Sequence, residues 1–417
     1  MLRTDETMAR ATDFSSFVDG QIRAQLKTCS TFSDLVSALP GVLPDEALNS
    51  LRRIGGEQAE LVAADALVDR ADRILNQGIG LPLPHPLDSE FRFCEDTAQL
   101  LAESLVDATR DGDELLLIGV PTVAIALATM DVDRTVRFLG PDNCVTAAVR
   151  EAFAPNQLVM TQGPGGTAAA ALLDPPWYRE PMHALIGAGA SGCRAGALLK
   201  LVIPPLGTRP EIAADRHEFL NSANSFGLVC HSGAGSVWYR TPLFELAAME
   251  QQGIARLSRW RRGDVLDFRL EGFRGPPATW SPPRHVELTY RGARLRLVHG
   301  AQAAKELARL STEEVFPSVS VRAARRNEAT LWTTTNRAFL VDFDAARAAL
   351  AYLADIGQEV LHSRFSGEEN YLLTNRTIAH DNRLIHQLVE LIEREFRESR
   401  RLVGDGAWLE TTMEWRS

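Results

Sequence analysis

The sequence predicts an α/β fold built on a doubly wound, largely parallel sheet, and three features carry that prediction. Short apolar runs alternate with helical stretches between residues 113 and 230, at the spacing of strand–helix–strand units. Several of these runs end in glycine or proline, which stop a strand and turn the chain. One run, Ala169-Ala-Ala-Leu-Leu-Asp-Pro-Pro-Trp-Tyr178, is small and apolar throughout and then gives an acid, paired prolines and paired aromatic residues. A continuous apolar run suits a central strand covered on both faces.

Residues 1–78 read as an N-terminal helical region. Phe14 to Leu26, Phe32 to Leu39 and Asp45 to Leu75 carry apolar residues at helical spacing, and Ser33 and Asp45 suit helix starts. This region is expected to be a packing or dimerisation module, so a homodimer is the assembly it suits. Leu81-Pro-Leu-Pro-His-Pro-Leu-Asp88 is an extended connector, read either as a lid over a neighbouring domain or as a plain linker. Phe91-Arg-Phe93 and a helix from Glu95 to Arg110 follow.

The sheet domain is assigned to 79–250. Its strands are Glu114 to Gly119, Val136 to Gly140, Gln157 to Met160, Ala170 to Leu173, Ala197 to Ile203 and Gly227 to Cys230. Helical stretches lie between them at Thr122–Thr129, Val145–Phe153, Pro181–Ala195 and Glu211–Ser222. Residues 251–417 read as a C-terminal α+β region. Val265 to Leu270 is a strand, His285–Tyr290 and Ala293–Val298 form a hairpin turning at Arg291-Gly292, and 342–362 and 376–401 are amphipathic helices.

Composition narrows the function classes. The 417 residues are 45% hydrophobic and 24% charged, within the ordinary range of globular proteins. A net charge of −10 disfavours a broad duplex-binding face, because phosphate affinity rests on clustered Lys and Arg. It suits neutral or cationic small substrates or a protein partner. There is no apolar run of membrane-spanning length and no leader-like N-terminus, so the expected location is cytoplasmic, with no membrane partner. The five scattered cysteines contain no CxxC pair and read as reduced, mostly buried thiols, with no metal site.

Candidate chemistry sits at strand ends, where open α/β sheets bind ligands. Gly119 lets a ligand approach the backbone, and the helix start at Thr122 offers free N–H groups. The string after Gly119 is Val120-Pro121-Thr122, not a GxGxxG fingerprint, and this favours a cofactor without phosphates. Asp142, at the end of the second strand, suits either a ribose hydrogen-bond acceptor or a helix-capping acid. Asp174, Pro175, Trp177 and Tyr178 are presented at the end of a core strand. They form either a substrate site or a simple strand stop with Trp177 filling the core.

This arrangement resembles class I S-adenosylmethionine-dependent transferases over about residues 80–250, giving the sheet a Rossmann-like reading. The specific element is Asp174-Pro-Pro-Trp-Tyr178, similar to the Asp/Asn-Pro-Pro-aromatic motif of amino-methyltransferases and to the Asp-Pro-Pro-Tyr motif of branched-chain polyamine synthases. The synthases, like this chain, carry an extended segment and a helix ahead of the first strand. The resemblance implies S-adenosylmethionine or decarboxylated S-adenosylmethionine as cofactor and a small-molecule amine as substrate. It implies Gly119, Thr122 and Asp142 as cofactor contacts. Asp174 and Tyr178 are implied as catalytic groups and Pro175 and Trp177 as substrate contacts, and Arg209, which follows the end of the fifth strand, is a further candidate substrate contact by its position. Two departures stand out. Val120-Pro-Thr122 replaces the acids of the synthases and the glycine-richer turn of the methyltransferases, and Gly140 stands where the ribose acid is usual.

The other motifs divide between function and structure. His231-Ser-Gly-Ala-Gly235 lacks the order of a nucleophile turn. Val237-Trp-Tyr-Arg-Thr-Pro-Leu-Phe244 lines a pocket or runs from core strand into turn. Arg209 faces the ligand edge or lies in a surface loop. Arg322, Arg325, Arg326, Asn327 and Trp332 grip a phosphate or form a solvated face. His85 and His380 lack metal-ligand spacing. The alternatives to a small-molecule transferase are a nucleic-acid amino-methyltransferase, supported by the Arg322–Arg326 cluster, and a catalytically silent methyltransferase-like scaffold, supported by the altered turn at Val120-Pro121.

Overall fold

Seven strands make the central sheet of the computed structural model: β1 (Glu114–Ile118), β2 (Thr135–Leu139), β3 (Leu158–Met160), β4 (Ala168–Leu173), β5 (Cys193–Ile203), β6 (Leu228–Arg240) and β7 (Arg259–Leu270). The structure describes residues 14–67, 80–88, 91–140, 143–154, 157–160, 166–275, 285–290, 292–298, 310–311, 314–315, 330–357, 361–363 and 382–403. Strand order is β3-β2-β1-β4-β5-β7-β6. β1 to β5 are parallel, while β7 runs antiparallel to both β5 and β6. The chain winds outward from β1 to β3 and then returns to lay β4 against the other side of β1. That reversal opens a crevice beyond the carboxyl ends of β1 and β4.

The period-two alternation of β1 explains the layers. Leu115 and Leu117 face one core, and Leu116 and Ile118 face the other. Helices α1 (Phe14–Gln25), α2 (Phe32–Ala38), α3 (Pro44–Ile54) and α4 (Glu57–Asp65) form the N-terminal bundle. On the first face of the sheet lie α5 (Glu95–Asp107), α6 (Pro121–Ala128) and α7 (Cys144–Ala152). On the second lie α8 (Arg179–Gly192) and α9 (Ile212–Ser225). α8 packs so closely that a Cβ at Gly189 would meet the Leu173 side chain at 2.6 Å, which accounts for glycine inside a helix.

The structure modifies three sequence expectations. The helix read over Asp45–Leu75 breaks at Gly55 and Gly56, whose φ values of 63° and 91° no helix accepts. β7, read as the first strand of the C-terminal region, is inserted into the central sheet, so that sheet extends to Leu270. Its residue Trp260 is buried in the N-terminal bundle together with Met249, Ile254 and Leu257, and this seats the bundle beside α10 (Leu243–Gln251). Finally, the strand read over Gly227–Cys230 continues as β6 to Arg240 and takes in His231 to Gly235, so no turn presents Ser232, in keeping with the order of that string.

A second, antiparallel sheet has the order β10-β12-β11-β9-β8-β13. It comprises β8 (His285–Tyr290), β9 (Ala293–Val298), β10 (Glu314–Val315), β11 (Leu331–Thr333), β12 (Arg337–Phe339) and β13 (Leu361–Ser363). The β8–β9 hairpin matches its sequence reading residue for residue. α11 (Phe343–Gly357) and α12 (Asn382–Val403) cover this sheet through Ala346, Leu350, Leu384 and Leu388. Trp332 is buried against Leu87 and Val298, so it belongs to the core and not to a surface cluster with Arg322, Arg325, Arg326 and Asn327, which lie outside the described residues. His380 also lies outside them. Among the described residues, no helix is long and apolar enough to cross a membrane.

A buried ion cluster joins the second sheet to the connector. Arg294 donates to Asp88 at 2.7 Å and to Glu287 at 2.9 Å, and Arg296 donates to Asp88 at 2.5 Å and also to Glu287. Arg294 reaches the Leu83 carbonyl as well, at 3.0 Å. Cys144, at the start of α7, contacts Glu287 at 3.2 Å. Burial pushes the Glu287 carboxyl up, but Arg294 and Arg296 pull it further down, below the usual carboxylate range. His85, fully buried nearby, is held neutral by burial and by the same arginines. The connector is therefore neither a free linker nor a loose flap, since its Asp88, itself partly buried, and the Leu83 carbonyl are held by a cluster of three buried charges, Glu287, Arg294 and Arg296. Glu287→Ala leaves two buried guanidinium groups short of a counter-ion. It is expected to cost about 3–5 kcal/mol in urea denaturation, whereas a loss of tenths of a kcal/mol would contradict the account.

Candidate functional site

The carboxyl ends of β1 and β4 meet at Gly119 and Asp174. Leu173 is in register with Ile118, and the Asp174 N–H donates to the Ile118 carbonyl at 3.0 Å. Gly119 has φ 72°, and a Cβ there would stand 2.7 Å from the Asp174 carbonyl oxygen. Glycine is required on both counts. Gly119 is exposed, so the strand tip is open. Beside it, Pro121 begins α6 and the Thr122 hydroxyl is buried without a hydrogen-bond partner. Asp142 lies outside the described residues. The capping role considered for it belongs to Asn143, whose side-chain oxygen accepts from the Thr146 N–H at 3.1 Å.

Pro175 and Pro176 end β4, and α8 begins at Arg179. Between them, Trp177 and Tyr178 are half-buried. Arg209 holds this loop from behind. Its Nη2 donates to the Trp177 carbonyl at 2.7 Å and to Asp215 at 2.6 Å, and its guanidinium lies 5.7 Å from the centre of the Tyr178 ring. Asp215, fully buried, also accepts from Arg179 at 2.7 Å. Arg209 is thus anchored to the protein's own groups and positions the Trp177–Tyr178 loop. The Tyr178 ring is placed by Arg209.

The phenol on Asp174 comes from Tyr239, whose hydroxyl donates to Oδ1 at 2.8 Å. Tyr239 stands near the end of β6, so it reaches the same sheet edge as β4. Its segment was legible as a pocket wall, but nothing in the sequence paired it with Asp174. The Trp177 ring meets Tyr239 edge-to-face at 5.9 Å between centroids, and Phe93 packs against Tyr239 at 4.8 Å. The segment around Phe93 is tied to β6 by the Cys94 N–H to Trp238 carbonyl bond of 2.9 Å and the Arg240 N–H to Arg92 carbonyl bond of 2.8 Å. Arg261, from the start of β7, lies over Trp177 at 4.9 Å and over Phe91 at 3.6 Å. The Trp177 ring, a candidate substrate contact, therefore already has the chain's own cation over it.

Burial pushes the Asp174 carboxyl up to about 8, against the opposing pull of the Tyr239 hydrogen bond and the Arg261 charge. The residue keeps some accessible surface, as a group at the floor of a crevice does. Burial and the adjacent Asp174 raise the Tyr239 phenol well above its ordinary value, so it stays a donor. Glu245, which accepts from Arg261 at 3.3 Å, is pushed by burial up to about 7. A carboxyl titrating near neutrality, fixed by a phenol beside an open glycine turn, can accept a hydrogen bond from a nucleophile and take its proton. Among the described residues, no group of three or more His, Cys, Asp or Glu side chains could hold a metal.

No protein-family model and no curated protein matches the chain. Among solved structures, a mutein of the branched-chain polyamine synthase of Thermus thermophilus, in complex with N4-aminopropylspermidine and 5'-methylthioadenosine, aligns with a TM-score of 0.47 at 13% identity, covering 67% of this chain and 96% of that one. The unmutated synthase aligns with a TM-score of 0.44 at 14% identity, covering 64% and 89%. A methyltransferase from Pyrococcus furiosus aligns with a TM-score of 0.28 at 14% identity, covering 42% and 83%.

The raised Asp174 carboxyl has a signed consequence for stability. In the unfolded chain it ionises above pH 3.8, whereas in the fold it stays protonated until about pH 8. The folded state therefore holds the extra proton, and rising pH costs stability across that window. Asp174→Asn cannot ionise and escapes this loss. Its melting temperature is expected to gain on the parent's from pH 5 to 7 to 9, measured by thermal unfolding. A difference constant with pH would refute the raised value.

Proposed function

We propose that the chain is a transferase that binds S-adenosylmethionine or decarboxylated S-adenosylmethionine at the β1–β4 crevice and alkylates the nitrogen of a small-molecule amine. The observation that carries this reading is the pairing of the exposed, positive-φ Gly119 with the buried Asp174 carboxyl at the point where strand order reverses. The residues present fit the donor. Gly119 leaves room at the strand tip, and Thr122 brings a hydroxyl that the protein leaves unbonded. Asp142 follows β2 in the sequence, two residues past the place where a ribose acid is usual, and is the acid closest to that place.

When bound, the donor supplies a carbon already activated by its sulfonium, so the protein's task is mostly placement. Asp174 and the Pro175 carbonyl accept hydrogen bonds from the amine and direct its lone pair across the crevice. Tyr239 holds the Asp174 carboxyl in one orientation through Oδ1 and leaves Oδ2 for the amine. As charge develops on nitrogen, the ionised form of Asp174, whose share grows as pH rises towards about 8, takes the proton. Arg209, through the Trp177 carbonyl, keeps the loop from shifting.

Calorimetric titration with S-adenosylmethionine, its decarboxylated form and S-adenosylhomocysteine tests the reading. One-to-one binding of at least one of them is expected, and no heat with any would sink it. Asp174→Asn is expected to lower turnover at least ~100-fold, the usual scale for a lost general base, while leaving donor affinity within about three-fold.

A further inference from the structure

The aromatic slot beside Asp174 already holds a cation. The Arg261 guanidinium carbon lies 3.6 Å from the Phe91 ring centre, 4.9 Å from that of Trp177 and 5.5 Å from that of Trp260. Phe91 is held edge-on to Tyr239 at 6.3 Å and to Phe244 at 5.6 Å, so the slot is a packed feature of the fold. Arg261 offers five N–H donors in a rigid fork, yet among the described residues it makes a single hydrogen bond, from Nη1 to Glu245 at 3.3 Å.

We propose that Arg261 determines acceptor specificity: the acceptor is a monoamine bearing a carboxylate, which the guanidinium grips while the amine faces Asp174, and polyamines are excluded. This rests on the transferase reading above. A second ammonium entering the slot would meet a fixed positive charge at close range and find the Phe91 face taken. A carboxylate matches the planar fork and can use the donors that Glu245 leaves. The two acids nearby do not reverse this preference, since burial raises both Asp174 and Glu245 towards neutrality. The segment that supplies Phe91 precedes α5, so the extended stretch ahead of the sheet takes part in selecting the acceptor.

The test is a ranking of affinities. Protein saturated with S-adenosylhomocysteine is titrated with glycine, β-alanine and γ-aminobutyrate, which vary the distance from amine to carboxylate, and with spermidine. At least one of the three amino acids is expected to bind ten-fold or more tightly than spermidine. Arg261→Gln is expected to weaken that amino acid at least ten-fold and to strengthen spermidine, reversing the order. Glu245 can take up a proton in this variant, and circular dichroism checks that the fold is retained. Arg261→Lys keeps the charge without the fork, so it is expected to weaken the amino acid but still exclude spermidine. Spermidine preferred by the parent, none of the three amino acids bound, or an order unchanged in Arg261→Gln would each overturn the proposal. If S-adenosylmethionine, its decarboxylated form and S-adenosylhomocysteine all give no heat, the transferase reading fails by itself. The same ranking on the unliganded protein then decides the role of Arg261.

Discussion

The hydrogen bond from the Asp174 N–H to the Ile118 carbonyl fixes the geometry on which the rest of the site depends. It carries the β1–β4 ladder one residue past the end of the strands, so Asp174 is held to β1 as firmly as a strand residue. Gly119 can then turn away only with a positive φ, and no side chain fits between the two backbones. Two consecutive prolines behind Asp174 forbid the ladder from continuing. The carboxyl is thereby delivered to the crevice floor by backbone constraints, before any side chain contributes.

Side chains then create a local conflict that the fold tolerates. A carboxyl buried beside Tyr239 and rings from two elements has lost much of its hydration, and one phenol and a nearby guanidinium only partly replace it. Such a group is a liability to the folded state, and its supports lie one layer out. Arg209 and the buried Asp215 pin the loop, Phe93 and Trp238 tie the connector end to β6, and Trp260 seats the N-terminal bundle against β7. The bundle, the connector and the sheet converge on one crevice from three directions.

Legibility in the sequence followed range. Strand–helix alternation, the apolar run of β4 and the β8–β9 hairpin are local patterns, and each of these elements begins within a few residues of its expected place, although β6 runs ten residues further than Cys230. Gly55-Gly56 was also local, yet the apolar periodicity around it hid the break. The insertion of β7 beside β5 is a pairing across 61 to 71 residues, from Ile203–Asp264 to Leu198–Arg269, and periodicity carries no register over that distance. The same limit applies to the site. Gly119 and Asp174 announced themselves by their positions at strand ends. Tyr239 and Arg261 reach the crevice because β6 and β7 run in opposite directions, so the end of one and the start of the other share an edge. Arg209 was read as facing the right edge, but its commitment to Asp215 and to a carbonyl is a tertiary fact.

The cluster of Asp88, Glu287, Arg294 and Arg296 also bears on how this protein can change over evolutionary time. Arg294 and Arg296 of the hairpin share two carboxylates, Glu287 of the same hairpin and Asp88 of the connector, so a neutral substitution at one position leaves its partners short of a counter-charge in a low-dielectric interior. Viable variants must therefore alter the connector and the hairpin together. Descendants that lose the second sheet would have to rebuild the stretch leading to Phe91 and, with it, one wall of the crevice. The hairpin thus constrains inheritance at a site whose reacting groups it does not itself supply.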